Sequence, residues 1–281
     1  MIVAELPAQM NWEAQLNLRY AMREQCTVLV EREHYGPLLV QKSFYPEGPD
    51  VCHNILVHPP GGIAAGDRLA INVTVESGAH GLITTPGATK WYRSEDALAE
   101  QHVTINVAAG GKLEWLPQEA IVFNSAMAKQ MIAVNLADQA SFLAWDILVL
   151  GRGAAQETFA QGLYQQAWTI TRNGVPLWVE RGKLSGGSRL LASRVGLAEY
   201  PVAATLLAVG DAPGAALVAA LRAVPSGENA QVAITALPKI LCARFLGHSV
   251  EQAKMWLETI WHELRPHYFG RGAHRPRIWS T

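Results

Sequence analysis

Three carboxylates in this 281-residue chain occupy positions where a carboxylate is costly. Asp146 interrupts Phe142-Leu143-Ala144-Trp145 and Ile147-Leu148-Val149-Leu150, a stretch otherwise apolar on both sides. Glu180 follows Leu177-Trp178-Val179, and Asp67 closes the tight run His58-Pro59-Pro60-Gly61-Gly62-Ile63-Ala64-Ala65-Gly66. A buried carboxylate must be hydrogen-bonded, paired, neutral or beside internal water, because bare burial costs several kcal/mol. The functional reading of such groups is a polar-lined internal passage, and the alternative is isolated buried hydrogen bonding. Glu180 also has a simpler reading, an ion pair with the adjacent Arg181. His58 and Thr85 are polar side chains in the same kind of Pro/Gly-framed segment.

Other catalytic signatures fail on inspection. His262-Glu263-Leu264-Arg265-Pro266 begins like the helical zinc motif, but proline stands where the second histidine is required. Gly151-Arg152-Gly153 lacks its third glycine and a surrounding βαβ unit. Gly110-Gly111-Lys112 is followed by leucine, and no serine sits in a Gly-x-Ser-x-Gly elbow. Cys52-His53 with His58 supplies soft-metal donors, although a buried cysteine beside a strand histidine is the commoner arrangement, and no stable metal site is expected.

Charged residues make up 17% of the chain against a usual value of about 25%, and hydrophobic residues 49%. So much apolar material must be buried or shared with a partner, which excludes a disordered chain. The formal net charge of -1 argues against nucleic acid as a ligand. No apolar run is long enough to span a membrane, and no basic residue precedes Arg19, so neither a membrane span nor a secretory signal is expected. Three widely spaced cysteines, Cys26, Cys52 and Cys242, make no disulfide framework and point to a cytoplasmic setting.

The elements that position these residues read mainly as strands. Thr27–Glu31 and Leu38–Gln41 flank Tyr35-Gly36-Pro37 and predict a hairpin. In Arg68–Val75 apolar and polar positions alternate, as in a strand with one buried face. Ile71-Asn72-Val73-Thr74-Val75 recurs as Val103-Thr104-Ile105-Asn106-Val107 and as Ile132-Ala133-Val134-Asn135-Leu136. A short turn and a second strand follow each copy, starting at Leu82, Leu113 and Phe142. A strand–turn–strand unit recurring about every 30 residues predicts stacked coils or layered sheets. In that register Asp146 follows Phe142 as Pro86 follows Leu82 and Pro117 follows Leu113, on one wall of the stack. Tyr164–Thr171, Leu177–Arg181, Val232–Ala236 and Lys239–Phe245 also read as strands. Ala215–Val224 reads as a helix, and so does Ser249 to about Arg265, capped by Ser249 and Gln252. The second helix buries Met255, Leu257, Ile260, Trp261 and Leu264 and stops at Pro266. The expected fold is one mostly-β domain over 1–281, β-solenoid-like or layered, with a few helices towards the C-terminus. Its repeat-like core runs from about 24 to 185, and a mixed α/β part from about 200 to 281.

The segments HPPGGIAAGD, TTPGATKWYRS and LEWLPQEAIVF, followed in order by LAWDILVLGR and RPRIW, resemble the urease accessory protein family UreD (also UreH). The resemblance runs from about Leu18 to Thr281, with a departure at Ala64-Ala65. It implies a helix-poor fold of stacked strands and a non-catalytic chaperone of urease. Such a chaperone binds apo-urease, UreF (in a 2:2 complex) and the nickel-carrying GTPase UreG. It holds no tight cofactor and passes nickel transiently through an internal, water-filled path. Carried onto this chain, Asp67, Asp146 and Glu180 are the acidic candidates for that path, with Thr85 and His58 as polar neighbours. Trp261, Arg265, Arg277 and Trp279, on the last helix and tail, are candidate partner contacts. The competing expectation is a β-solenoid-like carbohydrate-active enzyme using an Asp/Glu pair as acid and base.

Overall fold

The computed structural model describes residues 12–95 and 97–280. Alternation decides its layout. In Arg68–Val75, residues Leu69, Ile71, Val73 and Val75 are buried while those between them are not. Successive coils lie parallel and in register, so Ile71 is followed across the sheet by Val103, Ile132 and Trp168. Side chains therefore line up in continuous lanes. Leu16–Ile71–Val103–Ile132–Trp168 and Leu18–Val73–Ile105–Val134–Ile170 are buried throughout. Each coil crosses to a second sheet through a short turn whose left-handed position is Gly78, Gly110 or Gln139. The turns stack too: Ala108 N–H donates to Val75 O, and Ala137 N–H to Val107 O.

The first sheet has seven strands in the order Val175–Ser185, Leu163–Arg172, Met127–Leu136, Ala99–Val107, Arg68–Val75, Glu13–Arg23 and Cys26–Tyr35. The main path of the second runs Gln231–Leu237, Ile240–Gly247, Val202–Val209, Ser141–Leu150, Lys112–Leu116, His80–Thr84, Val51–Val57 and Leu39–Val40. This mostly-β, stacked-coil arrangement agrees with the expectation, and its three α-helices fall towards the C-terminus. The Tyr35-Gly36-Pro37 hairpin does not form. Cys26–Tyr35 pairs back onto Glu13–Arg23, whereas Leu39–Val40 joins the other sheet beside Val51–Val57. Alternation was visible in these strands, but their partners are set by which sheet still has an edge to offer.

The repeat register also needs one shift. Leu113 and Phe142 are paired neighbours, but the residue opposite Leu113 on the other side is Gly81, not Leu82. Gly81 carries no apolar side chain to mark the position, and it is closely packed. A Cβ there would lie 3.2 Å from Leu113 and 3.4 Å from Tyr20. Continuing the corrected ladder past Ile83, Trp115 and Ala144 aligns Asp146 with Pro117 and with Thr85, not with Pro86.

A second core layer lies outside the second sheet, beneath the helix Val250–Phe269. Ser249 Oγ accepts the Gln252 N–H at its start, as the capping pattern predicts. The helix passes through Pro266 rather than stopping there, and ends at Gly270 in the left-handed region. Proline forfeits one backbone bond. Burial of Tyr268 and Phe269, the latter stacked on His80 at 5.0 Å, carries the helix one more turn. Trp256 takes the buried position expected of Met255, which is 63% exposed.

This helix is pinned by a buried charge. The Arg265 guanidinium, fully enclosed, donates to both Glu114 oxygens at 3.0 Å and to Glu47 at 2.5 and 2.7 Å. Trp261 Nε1 adds a bond of 2.6 Å to Glu114. Burial alone would raise the Glu114 carboxyl; the hydrogen bond to His80 and the charge of Arg265 overcome it and hold it at about 2. Burial keeps His80 itself below its usual value, so Arg265 supplies the neutralising charge at neutral pH. Arg265 is therefore an interior group, as is Trp261, which lies in the buried stripe expected of it; as candidate partner contacts, neither presents an exposed surface. Trp279 is also tucked in, packed on Trp145 and Trp261 with Nε1 donating to Thr84 Oγ1 at 2.7 Å. Arg277 is exposed. Arg265→Ala leaves two buried carboxylates without their cation, and about 3–5 kcal/mol of stability should be lost. Urea unfolding measures this; a loss under 1 kcal/mol would show that the cluster is solvated.

Candidate functional site

Inward-facing positions near the Pro/Gly loops of the stack are not all apolar. The lane next to Leu16–Ile71–Val103–Ile132–Trp168 continues as Ala14–Leu69–Gln101–Gln130–Gln166. Its three glutamines are linked: Gln130 Nε2 donates to Gln101 Oε1 at 3.0 Å, and Gln166 Nε2 to Gln130 Oε1 at 2.9 Å. Tyr164 also donates its hydroxyl to Gln130 at 3.0 Å. A cavity of about 410 Å³ separates this lane from the opposite sheet, where Thr85, Trp115, Pro117 and Asp146 line it. Exposed Gly61, Pro86 and Gly87 form its mouth.

Asp146 stands at the inner end. Gln166 Nε2 donates to its Oδ2 at 2.8 Å, which ties the glutamine lane to the carboxylate. Asp146 also lines a second, smaller space of about 10 Å³ with Gln166, Glu180 and Thr205, a constriction at the lower limit for one water molecule. Among the described residues, no cation pairs with Asp146. Burial raises its carboxyl to about 6, against the Gln166 hydrogen bond that lowers it, and the charge of Glu180 adds to the rise. Glu180 closes the far side. Its partner is not the adjacent Arg181, which alternation turns to the other face, but Arg244, whose Nη2 donates at 2.9 Å from the opposite sheet. The Trp178 Nε1 donates to the same oxygen at 3.2 Å.

His58 and Thr85 thus share a cavity with Asp146, and Glu180 shares the constriction. Burial lowers the His58 pKa, against the pull of Asp67, and its Nε2 is buried without a partner. Thr85 Oγ1 donates to Gly87 O at 3.0 Å and accepts the Gln118 N–H at 2.9 Å, fixing the mouth. Asp67 does not line the cavity. Its carboxylate accepts the N–H groups of Trp12 at 2.9 Å and Ala64 at 2.8 Å, and so closes the His58–Gly66 loop. Cys52 and His53 do not converge with His58: Cys52 Sγ bonds Asn54 at 3.4 Å, and His53 Nε2 lies 2.6 Å from Glu47. Gln101, Gln130, Gln166 and Arg244 belong to the site although their types drew no attention. Their signal was parity, since each glutamine stands two residues from a buried member of a repeat strand.

The space of about 10 Å³ that Asp146 and Glu180 both line is too small for a sugar ring. Comparison with known proteins shows the family. The family model of the UreD urease accessory protein matches residues 13–280. The chain belongs to the UreD family. It is 47% identical to the urease accessory protein UreD of Nitrosococcus oceani, over 97% of this chain and 91% of that one. With the UreD of Dechloromonas aromatica it is 46% identical over 96% of this chain and 95% of the other. With that of Pseudomonas fluorescens it is 47% identical over 96% of each. Membership gives the chain a part in urease maturation as an accessory protein. Among the described residues, no helix is long and apolar enough to cross a membrane.

The Asp146 proton has a thermodynamic signature. Its folded pKa of about 6 lies above the unfolded value near 3.9. The associated stability is therefore complete below the unfolded pKa and is lost as pH rises through about 6, up to about 3 kcal/mol in all. Asp146→Asn, which needs no proton, should be more stable than the parent at pH 8 and level with it near pH 4. Equal thermal midpoints at both pH values would show that Asp146 is solvated.

Proposed function

We propose that this protein is a non-enzymatic chaperone of urease that passes nickel through the space between its two sheets. It takes the ion from the side where UreF and UreG dock and releases it to apo-urease. The observation that carries the reading is Asp146, an unneutralised carboxylate kept between a 410 Å³ cavity and a constriction. A fold that could neutralise a buried carboxylate does so at Glu114; at Asp146 it leaves the charge available. The donors around the cavity are mainly oxygens from carboxylate, amide and hydroxyl groups, with His58 Nε2 at the mouth. Sparse oxygen donors hold a divalent transition metal less firmly than thiolate and imidazole sets, which suits cargo that must leave. Nickel is the cargo here, bound transiently, and no resident cofactor is required.

Apo-urease, UreF and UreG are the partners, with two copies of this chain and two of UreF in the assembly. The setting is cytoplasmic, and neither nucleic acid nor membrane takes part. The scarcity of charge supports extensive contacts, since interface centres are depleted in charged residues. Asp67 serves the passage indirectly, by holding the mouth loop.

Asp146→Ala should leave the chain folded and able to co-purify with UreF and apo-urease, while urease activation in limiting nickel falls at least about tenfold. Full activation by this variant, at equal expression, would overturn the assignment.

A further inference from the structure

The far end of the passage is closed by a group that the proposed route does not by itself require. Glu180 belongs to the edge strand of the seven-stranded sheet, and Arg244 to a strand of the other sheet. Their 2.9 Å bond crosses the seam between the sheets. On its inner side Glu180 borders the same constriction as Asp146. On its outer side the Arg244 side chain is 46% exposed, with its guanidinium 5.8 Å from the Trp178 ring. A cation arriving from Asp146 therefore meets a carboxylate already occupied by a guanidinium, in a gap with room for one water at most.

We propose that Arg244 is the positioning residue that gates this end of the passage. It acts through Glu180. While the guanidinium stays on Glu180, a divalent ion has only Asp146 to hold it and cannot go further. When the guanidinium swings out along the Trp178 face, Glu180 becomes the next oxygen ligand and the ion moves on. The ion pair is well suited to a latch because it is partly solvated. An exposed pair of this kind contributes little to stability, whereas the guanidinium's positive charge, beside the gap, opposes a second cation strongly. This inference rests on the passage proposed above and adds what controls it.

The test uses the purified full-length chain with Ni2+ alone in equilibrium dialysis. Arg244→Gln, which removes the charge and frees Glu180, should bind Ni2+ about tenfold more tightly. Arg244→Lys, which keeps the charge, should stay within about twofold of the parent. Adding Glu180→Gln to Arg244→Gln should abolish the gain. Should Arg244→Gln not fold, Glu180→Gln alone supplies the complementary reading. It strands the guanidinium beside Asp146 and should weaken Ni2+ binding several-fold. Unchanged Ni2+ affinity in a folded Arg244→Gln, or in Glu180→Gln if that is the variant measured, overturns the gate. If Asp146→Ala still abolishes activation in that event, the passage stands without it. If Asp146→Ala is also silent, the passage itself has failed.

Discussion

Parallel, in-register stacking of successive coils is the constraint on which the rest of this structure depends. Each coil places its residues directly beside their counterparts in the next, so chemistry is organised in lanes that cross the sheet. Where a lane is apolar, as from Leu16 to Trp168, it is core. Where it turns polar, as through Gln101, Gln130 and Gln166, it becomes the wall of an internal space. A slip of one residue would turn every such side chain to the opposite face. The depth of the cavity and the position of Asp146 therefore follow from register alone.

Two buried carboxylates show how differently one fold can treat the same group. Glu114 receives Arg265, Trp261 and His80 together. The guanidinium it shares with Glu47 and its hydrogen bonds hold its carboxyl at about 2, which makes it an anchor for the last helix. Asp146 receives one amide, and its carboxyl is raised to about 6. The first environment contributes to stability, and the second costs stability at neutral pH. Environments that push two carboxyl pKa values apart assign their roles. Here one is structural, and the other is the carboxylate proposed to hold a passing cation.

Much of this was legible in the sequence, and the failures have physical causes. The repeat Ile71, Val103, Ile132 was visible because alternating apolar residues report burial directly. Gly81, closely packed against Leu113 and Tyr20, obscured the companion register because it has no side chain to mark its place. The glutamine lane escaped notice because glutamine in a strand usually faces solvent, and only parity with Val103 and Ile132 turns it inward. Glu180 looked paired with Arg181, its neighbour, while its partner Arg244 lies on the facing sheet, far along the chain. Arg265 looked available because its partners, Glu114 and Glu47, are brought together only by the fold, whereas the burial of Trp261 was already legible in the apolar stripe. Asp67 was expected on the path because it ends a tight Pro/Gly loop, but its carboxylate accepts two backbone N–H groups and holds that loop instead.

The scarcity of charge now has locations. Two core layers absorb the apolar residues. On the outer face of the seven-stranded sheet the lane Asn17–Asn72–Thr104–Ala133–Thr169 is uncharged over five strands and meets Glu33 at the edge strand. The interior space is where the account is most exposed to test. Crystals soaked in Ni2+ and measured on either side of the nickel absorption edge would locate the ion. The account predicts an anomalous peak inside the cavity within bonding distance of the Asp146 carboxylate. Peaks confined to outer-surface histidines, at a nickel concentration that saturates them, would contradict it.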